Sequence, residues 1–365
     1  MIASTPSTFD FDMMRIAVRM AMRGLGNCAP NPAVGAVIAD EASGEVIARG
    51  WTQPGGRPHA ETEAIRQAGD LARGATLYVT LEPCAHFGRT PPCADAIIAA
   101  GLQRVMVGTG DPDPRTAGAG IARLRAAGLT VAERVLEADA RWVTLGHLLR
   151  VTQKRPFVTL KLATDAAGSI AIGDGTQPRW VTGTEARAAG HKLRAEADAI
   201  LIGAGTLRAD NPDLTCRLPG LSSRSPIRIV LAGRARIDPA AKLIATAREV
   251  PVIVLRSGAA RPDDHDLAAA GADIVEVPET SIAIVLEMLA GRGITRVLVE
   301  GGPAVWRSFA QSGLVDEVIL FMAGRADRQQ ADAARERYLE GLMLDTTDRR
   351  PVGPDTMWRL RRTGA

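Results

Sequence analysis

Two segments decide how the first half of this chain is read: Pro58-His59-Ala60-Glu61, and Thr80-Leu81-Glu82-Pro83-Cys84 with Cys93 nine residues further on. One imidazole and two thiolates form a tripod for a zinc ion. Three protein ligands leave a fourth position open, as a catalytic site needs and a closed structural site does not. His59, Cys84 and Cys93 are the expected ligands. Glu61 sets a carboxylate beside them, where it can carry protons. Each half alone is weak, since H-A-E is a common tripeptide and two cysteines at this spacing also fit a core. The joint pattern points to the metal. His86 stands close enough to Cys84 to compete as a ligand, although the rest of the pattern calls for a cysteine; it more readily faces a substrate. Cys28 reads as structural.

Working outward, Met13 to Arg23 carries an apolar stripe at helical spacing, with Gly24 and Gly26 after it. Ala33 to Ile38 and Glu45 to Trp51 read as a hairpin about the turn at Ser43-Gly44. Helices are expected over Ala60 to Ala68, Ala94 to Ala100 and Ile121 to Ala127. Strands are expected over Thr76 to Leu81, Gln103 to Gly108 and Leu129 to Glu133. This order predicts a three-layer α/β/α sandwich. It also puts the three ligands at two adjacent helix N-termini, whose positive dipole ends favour thiolate over thiol.

A chain of 365 residues is long for one domain. Ala138 to Arg150 reads as a helix and Val151 to Arg155 as a polar connector, so the expected domains are 1–150 and 151–365. Past Pro156, apolar strands alternate with helices, which predicts a mostly parallel sheet covered on both faces. Gly205 to Arg217 reads as a polar loop region. In Val297-Leu298-Val299-Glu300-Gly301-Gly302-Pro303 a buried strand ends in a carboxylate and two glycines before a helix. That suits an anionic ligand, yet a plain strand-to-helix turn looks the same. It is not a G-x-G-x-x-G dinucleotide fingerprint.

The totals exclude several classes. With 44 basic against 41 acidic residues, a net charge of +3 gives no footprint for nucleic acid. The four cysteines are widely and unevenly placed, which suits a reducing compartment better than a disulfide framework. No basic, apolar leader and no run of about 18 apolar residues is present, so neither export nor a membrane span is expected. The expected location is the cytoplasm.

Zinc deaminases of nucleobases pair H-x-E with P-C-x-x-C. Here the cysteine pair is stretched and ends in Gly88-Arg89-Thr90-Pro91-Pro92-Cys93. With Pro30-Asn31-Pro32-Ala33-Val34-Gly35 and Gly110-Asp111-Pro112-Asp113-Pro114, this resembles the deaminase domain of the bifunctional deaminase/reductase family of riboflavin biosynthesis. The long insertion argues against nucleic acid and for a free pyrimidine nucleotide. The resemblance implies a cytidine-deaminase-like domain with zinc on His59, Cys84 and Cys93, and with Glu61 as proton shuttle. The implied substrate is 2,5-diamino-6-(ribosylamino)pyrimidin-4-one 5′-phosphate. Asn31 stands between two prolines, where a substrate contact and turn chemistry both account for an amide.

The second half resembles the reductase domain of the same family, which is similar in fold to dihydrofolate reductase and uses NADPH. The resemblance places Arg194, Leu214, Arg217 and Glu300 at the substrate, and Ala163, Trp180, Thr206, Asp210, Gly301 and Gly302 at NADPH. Arginine suits a phosphate through bidentate, charge-assisted bonds. Three departures stand out. The family's S-L-D-G after the lysine strand is Asp165-Ala166-Ala167-Gly168 here. Pro178 takes a position that is often serine. Met322 to Gln330 replaces a glycine-rich segment, and this polar, alanine-rich stretch reads as helix through Glu340. The resemblance also implies a homo-oligomer. Three other readings are a deaminase with a non-catalytic second domain, a nucleic-acid deaminase, and a zinc protein without activity.

Overall fold

The computed structural model describes residues 5–170, 180–278 and 281–362, and Pro178 lies outside them. The chain forms two compact units, Met1–Lys154 and Arg155–Ala365. No helix among the described residues is long and apolar enough to cross a membrane.

The first unit contains helix α1 (Thr8–Ala21), strands β1 (Gly35–Asp40) and β2 (Glu45–Trp51), α2 (Ala60–Ala68), β3 (Thr76–Leu81), α3 (Cys93–Ala99), β4 (Arg104–Thr109), α4 (Ala119–Ala126), β5 (Thr130–Ala132) and α5 (Glu137–Gln153). Its sheet runs β2-β1-β3-β4-β5, antiparallel at β1 and parallel from β3 onward. Two glycines show which helix covers which face. A Cβ on Gly35 would lie 1.9 Å from Ala17 O of α1, and one on Gly50 would lie 2.2 Å from Ala60 O of α2. Gly50 pairs with Ala36, the next residue after Gly35, so the two glycines point to opposite faces. Helices α1 and α2 therefore sandwich the sheet, packed closely enough that no side chain fits at either glycine.

Helix α1 starts five residues before the apolar stripe that reveals it. Ser7 caps it, and the Ser7 hydroxyl and Asp10 carboxylate bond each other's backbone amides in a capping box. Asp10 also accepts from the Tyr78 hydroxyl at 2.8 Å, tying the helix to β3. Helix α5 runs on to Gln153, so most of the expected connector is its last turn.

The second unit contains β6 (Phe157–Thr164), α6 (Thr184–Ala195), β7 (Ala199–Gly203), α7 (Ala204–Asp210), β8 (Ile227–Gly233), α8 (Lys242–Ala245), β9 (Val252–Arg256), α9 (Asp264–Ala270) and β10 (Asp273–Glu276). It continues with α10 (Ile282–Gly291), β11 (Arg296–Val299), α11 (Pro303–Ser312), β12 (Glu317–Met322), α12 (Arg328–Leu339), β13 (Asp345–Val352) and β14 (Asp355–Arg361). The sheet order is β10-β9-β8-β7-β11-β6-β12-β14-β13. Strands β10 through β12 are parallel, and the β13–β14 hairpin adds an antiparallel edge. Two features differ from the sequence reading. The first half of the expected polar loop, Ala204–Asp210, is helical, short because Asn211-Pro212 ends it. The terminal hairpin has no counterpart in that reading.

The three departures from the family pattern meet a structural account at two places. Asp165 accepts from the amides of Ala167 (2.9 Å) and Ser169 (2.7 Å), so its carboxylate closes the turn after β6. The replaced segment is helical only from Arg328: Met322 still ends β12, residues 323–327 are not helical, and α12, capped by Asp327 and Gln330, starts after them and packs on that turn. Gln330 donates to Ala166 O at 3.1 Å and Arg337 to Ser169 Oγ at 3.3 Å.

Candidate functional sites

In the first unit, the metal tripod is assembled by the ends of three elements. His59 is the N-cap of α2, Cys84 follows the end of β3, and Cys93 opens α3. The ligand atoms of His59, Cys84 and Cys93 all lie within 4.8 Å of one another. His59 Nδ1 is 3.3 Å from Cys93 Sγ and 3.9 Å from Cys84 Sγ, so Nδ1 is the nitrogen that faces the sulfurs. Cys84 accepts from the Cys93 thiol, from His59 and from the Cys93 amide, which pushes its pKa down to about 4. The cost falls on Cys93, whose thiol donates and is pushed up. A soft N/S₂ donor set with one thiolate already favoured fits zinc. Among the described residues, His86 is outside this group; its Nδ1 lies 3.4 Å from Thr116 Oγ1.

Glu61 sits in the first turn of α2, buried. Burial raises its carboxyl pKa, while the neighbouring His59 pulls the other way. A buried carboxyl whose pKa is raised is better able both to take and to give a proton. Glu61, His59 and Cys84 line a cavity of about 450 Å³ that Asn31 also lines. The Asn31 amide has no hydrogen-bond partner among the described side chains. It is wedged instead: Gly56, at φ +86, approaches so closely that a Cβ there would lie 1.9 Å from Asn31 Nδ2. The peptides Ala29-Pro30 and Arg57-Pro58 beside it are both cis.

Two further residues shape this cavity and were not singled out in the sequence. Glu82 is buried and accepts from the amides of Asp111, Gly118, Gly120 and Ile121 at 3.0 to 3.4 Å. It thereby fixes the Asp111–Thr116 loop against the strand end that carries Cys84. His147 of α5, also buried, places Nε2 3.0 Å from Asp111 Oδ1. Glu82 had a local signal in its place beside Pro83-Cys84; His147, in an apolar helix, had none.

In the second unit, the parallel strands end at the site. Glu300 follows β11 and lies between Lys161 of β6 and Arg194 of α6. Arg194 grips it with a fork: Nε to Oε1 and Nη2 to Oε2, both 2.9 Å, while Nη1 bonds Thr215 O at 3.1 Å. Lys161 Nζ stands 3.9 Å away. Burial alone would raise the Glu300 pKa, but Arg194 and Lys161 overcome it and hold the carboxyl at about 2. The pair is a fixed internal ion pair, and Arg194 has little left for a ligand.

Two cavities meet at this pair. One, of about 270 Å³, is lined by every residue assigned to this domain from the family pattern: Arg194, Leu214, Arg217 and Glu300, with Ala163, Trp180, Thr206, Asp210, Gly301 and Gly302. The other, of about 460 Å³, shares Lys161, Ala163, Trp180, Arg194, Arg217 and Glu300 and extends along α6. Thr206 accepts from the Gly302 amide at 2.9 Å, joining α7 to the glycine turn. Gly301 is required by packing, since its Cβ would lie 2.7 Å from Val305 Cβ. Gly302 precedes α11 without a side-chain cap and Pro303 has no N–H, which leaves the Ala304 and Val305 amides of the first turn for an anionic group.

Leu214 is held at φ +59 and Asn211 at φ +41, an uncommon conformation for both. Arg228, fully buried, supports this segment from beneath by donating to Asp213 O at 3.2 Å, and to Thr246 Oγ1 and O at 2.8 and 2.9 Å.

A metal-binding deaminase fold joined to a nucleotide-reductase fold defines the class. Two family models match: the cytidine and deoxycytidylate deaminase zinc-binding region over residues 7–109, and the RibD C-terminal domain over residues 156–325. Riboflavin biosynthesis protein RibD of Aquifex aeolicus is 39% identical over 86% of this chain and 86% of its own length. That of Escherichia coli is 34% identical over 95% and 98%. The solved structure of Acinetobacter baumannii RibD superposes with a TM-score of 0.82 at 33% identity, covering 97% of this chain and 99% of that one. A diaminohydroxyphosphoribosylaminopyrimidine deaminase/5-amino-6-(5-phosphoribosylamino)uracil reductase from Thermotoga maritima gives 0.81 at 32% identity, covering 97% and 98%. The chain belongs to the RibD family: it is a bifunctional enzyme of riboflavin biosynthesis, with a deaminase step and a reductase step.

Proposed function

We propose that the first unit deaminates 2,5-diamino-6-(ribosylamino)pyrimidin-4-one 5′-phosphate and that the second reduces the product's ribosyl chain with NADPH. The observation that carries the reading is the convergence of His59 Nδ1 and the Cys84 and Cys93 sulfurs beside buried Glu61, on one cavity. These three residues would hold zinc, whose Lewis acidity makes water a nucleophile at neutral pH. Glu61 would take one proton from the attacking water for the ring nitrogen and then carry the second, from the resulting hydroxyl, to the departing amine. The exocyclic bond from ring carbon 2 to its amino group would break, a carbonyl would take its place, and ammonia would leave. Asn31, wedged but unbonded, offers its amide to the substrate.

In the second unit, the cavity lined by Thr206, Asp210, Gly301 and Gly302 suits the dinucleotide. Bound there, NADPH would supply a hydride to carbon 1 of the opened ribosyl chain, with a proton from solvent completing the reduction. The Arg194–Glu300 pair and Lys161 form the floor on which substrate and dinucleotide meet. None of Cys28, Cys84, Cys93 and Cys216 forms a disulfide, which fits a reducing cytoplasm. A homo-oligomer completes the reading, and sedimentation of the intact chain tests it.

Ammonia release from the diaminopyrimidine nucleotide, followed by NADPH oxidation in the same cuvette, tests both steps on purified protein of known zinc content. Ammonia without NADPH oxidation refutes the second assignment, and neither refutes both.

A further inference from the structure

A further cavity of the second unit, of about 450 Å³, has no part in the sites described so far. Helix α7 lines it through Ala204, Leu207 and Arg208, which fall on a different face of the helix from Thr206 and Asp210. The loop after β8 lines it through Arg236 and Asp238. Asn211 lines both this cavity and the one assigned to the dinucleotide, so the two adjoin. The sheet sets them in a row. Strands β6, β11, β7 and β8 are parallel neighbours in that order. Ala163 lies in β6, Gly301 and Gly302 follow β11, Thr206 follows β7 and Arg236 follows β8. Ligands of such sheets lie across the carboxyl ends of the strands. One that starts at Ala163 and passes the glycine turn comes next to α7 and then to the β8 loop.

The charges at that far end are open. Arg208 and Arg236 are both exposed, and among the described residues neither guanidinium has a hydrogen-bond or ion-pair partner. They differ in this from Arg194 and Arg217, which are taken by Glu300 and Asp213. Two uncommitted cations on one cavity call for an anion. Asp238, the carboxylate among the lining residues, is turned to local use: its Oδ1 accepts from the Ala240 amide at 2.9 Å. A carboxylate at the adenosine ribose suits the 2′-hydroxyl of NADH, and an arginine suits the 2′-phosphate of NADPH. We propose that Arg208 and Arg236 hold the 2′-phosphate of NADPH and make the reductase prefer it to NADH. This rests on the reading of the adjoining cavity as the dinucleotide site.

Calorimetric titration of the intact chain tests the proposal without turnover. Wild type should bind NADPH about tenfold to a hundredfold more tightly than NADH, the scale of a hydrogen bond to a charged group. The double variant Arg208→Ala, Arg236→Ala should lose most of that preference by weakening NADPH. Its Kd for NADH should hold within about twofold, which also shows that it is folded. A second measurement needs no variant: wild type should bind 2′-AMP more tightly than 5′-AMP. Equal affinity of wild type for NADPH and NADH overturns the proposal, as does equal affinity for the two monophosphates. A double variant that binds NADH normally and still prefers NADPH overturns it too. Wild type that binds neither dinucleotide refutes the parent reading and takes this one with it.

Discussion

The wedge of Gly56 against Asn31 yields a prediction whose size follows from distances. In Gly56→Ala the new Cβ would meet Asn31 Nδ2 at 1.9 Å, Cγ at 2.7 Å and Cβ at 2.9 Å. The clash reaches the root of the asparagine side chain, so rotating the amide tip does not relieve it, and the amide must leave its place. Gly56 also sits at φ +86, which costs an alanine about 1 kcal/mol in stability. If Asn31 holds the substrate by one neutral hydrogen bond, worth about 0.5–1.5 kcal/mol, its displacement lowers deaminase kcat/KM by about threefold to tenfold. Misplacement of the reacting ring by about 1 Å extends that towards a hundredfold. The decisive form is a double-mutant cycle with Asn31→Ala, read by ammonia release. Once the amide is absent, Gly56→Ala has little left to displace, so the double variant should match Asn31→Ala within about twofold. NADPH oxidation on pre-deaminated substrate should not change in any of the three. Losses that multiply in the double variant would show that Gly56 acts without Asn31 and refute the reasoning.

Other consequences follow from the same geometry. Glu61→Gln should lower deaminase kcat by about a hundredfold to ten-thousandfold, the scale of a general acid–base group, with bound zinc and reductase rate unchanged; loss of zinc in that variant would reassign Glu61 to the metal. Chelation should abolish ammonia release and spare reduction of the deaminated nucleotide, because no residue of the second unit belongs to the His59-Cys84-Cys93 group; parallel loss of both rates contradicts this. Glu300→Gln leaves the buried Arg194 and the neighbouring Lys161 without a countercharge. It should destabilise the second unit by about 3–5 kcal/mol in thermal or denaturant unfolding and remove reductase activity, while ammonia release persists; a variant of normal stability would mean the pair is not held as the fork indicates.

Much of the fold was legible because its signals are local. The hairpin β1–β2, helix α2 and strand β3 follow from alternation, turn residues and a 3.6-residue stripe. The start of α1 is not marked by the apolar stripe, which begins at Met13, while the helix begins where Ser7 and Asp10 bond the first amides. The S-x-x-D spacing was readable as a capping box with aspartate in place of glutamate. The terminal hairpin was missed for a different reason. Strand β13, Asp-Thr-Thr-Asp-Arg-Arg-Pro-Val, lies at the sheet edge with five of its eight residues charged or proline, so no apolar face marks it. Charged side chains and proline on an edge also block further strand pairing. Its partner β14 does show alternation in Met357-Trp358-Arg359-Leu360-Arg361, with Leu360 buried and both arginines partly exposed.

The sites show a sharper limit. Residue type told where cations and carboxylates stand in the chain, but not which of their hydrogen bonds are already spent. Arg194 looks from sequence like a phosphate clamp; in the fold three of its donor atoms go to Glu300 and Thr215. Arg228 carries no signal in the sequence, yet it is fully buried and holds the backbone that presents Leu214 at positive φ. Commitment of this kind is a property of tertiary contacts between distant segments, and spacing along the chain cannot encode it. The metal tripod escaped the limit because chemistry fixes its partners in advance: one imidazole and two thiols near each other have zinc as their common use. A sequence is thus most informative about sites whose ligand uses up the side chains. It is least informative about sites, like this reductase cavity, where the side chains first use up one another.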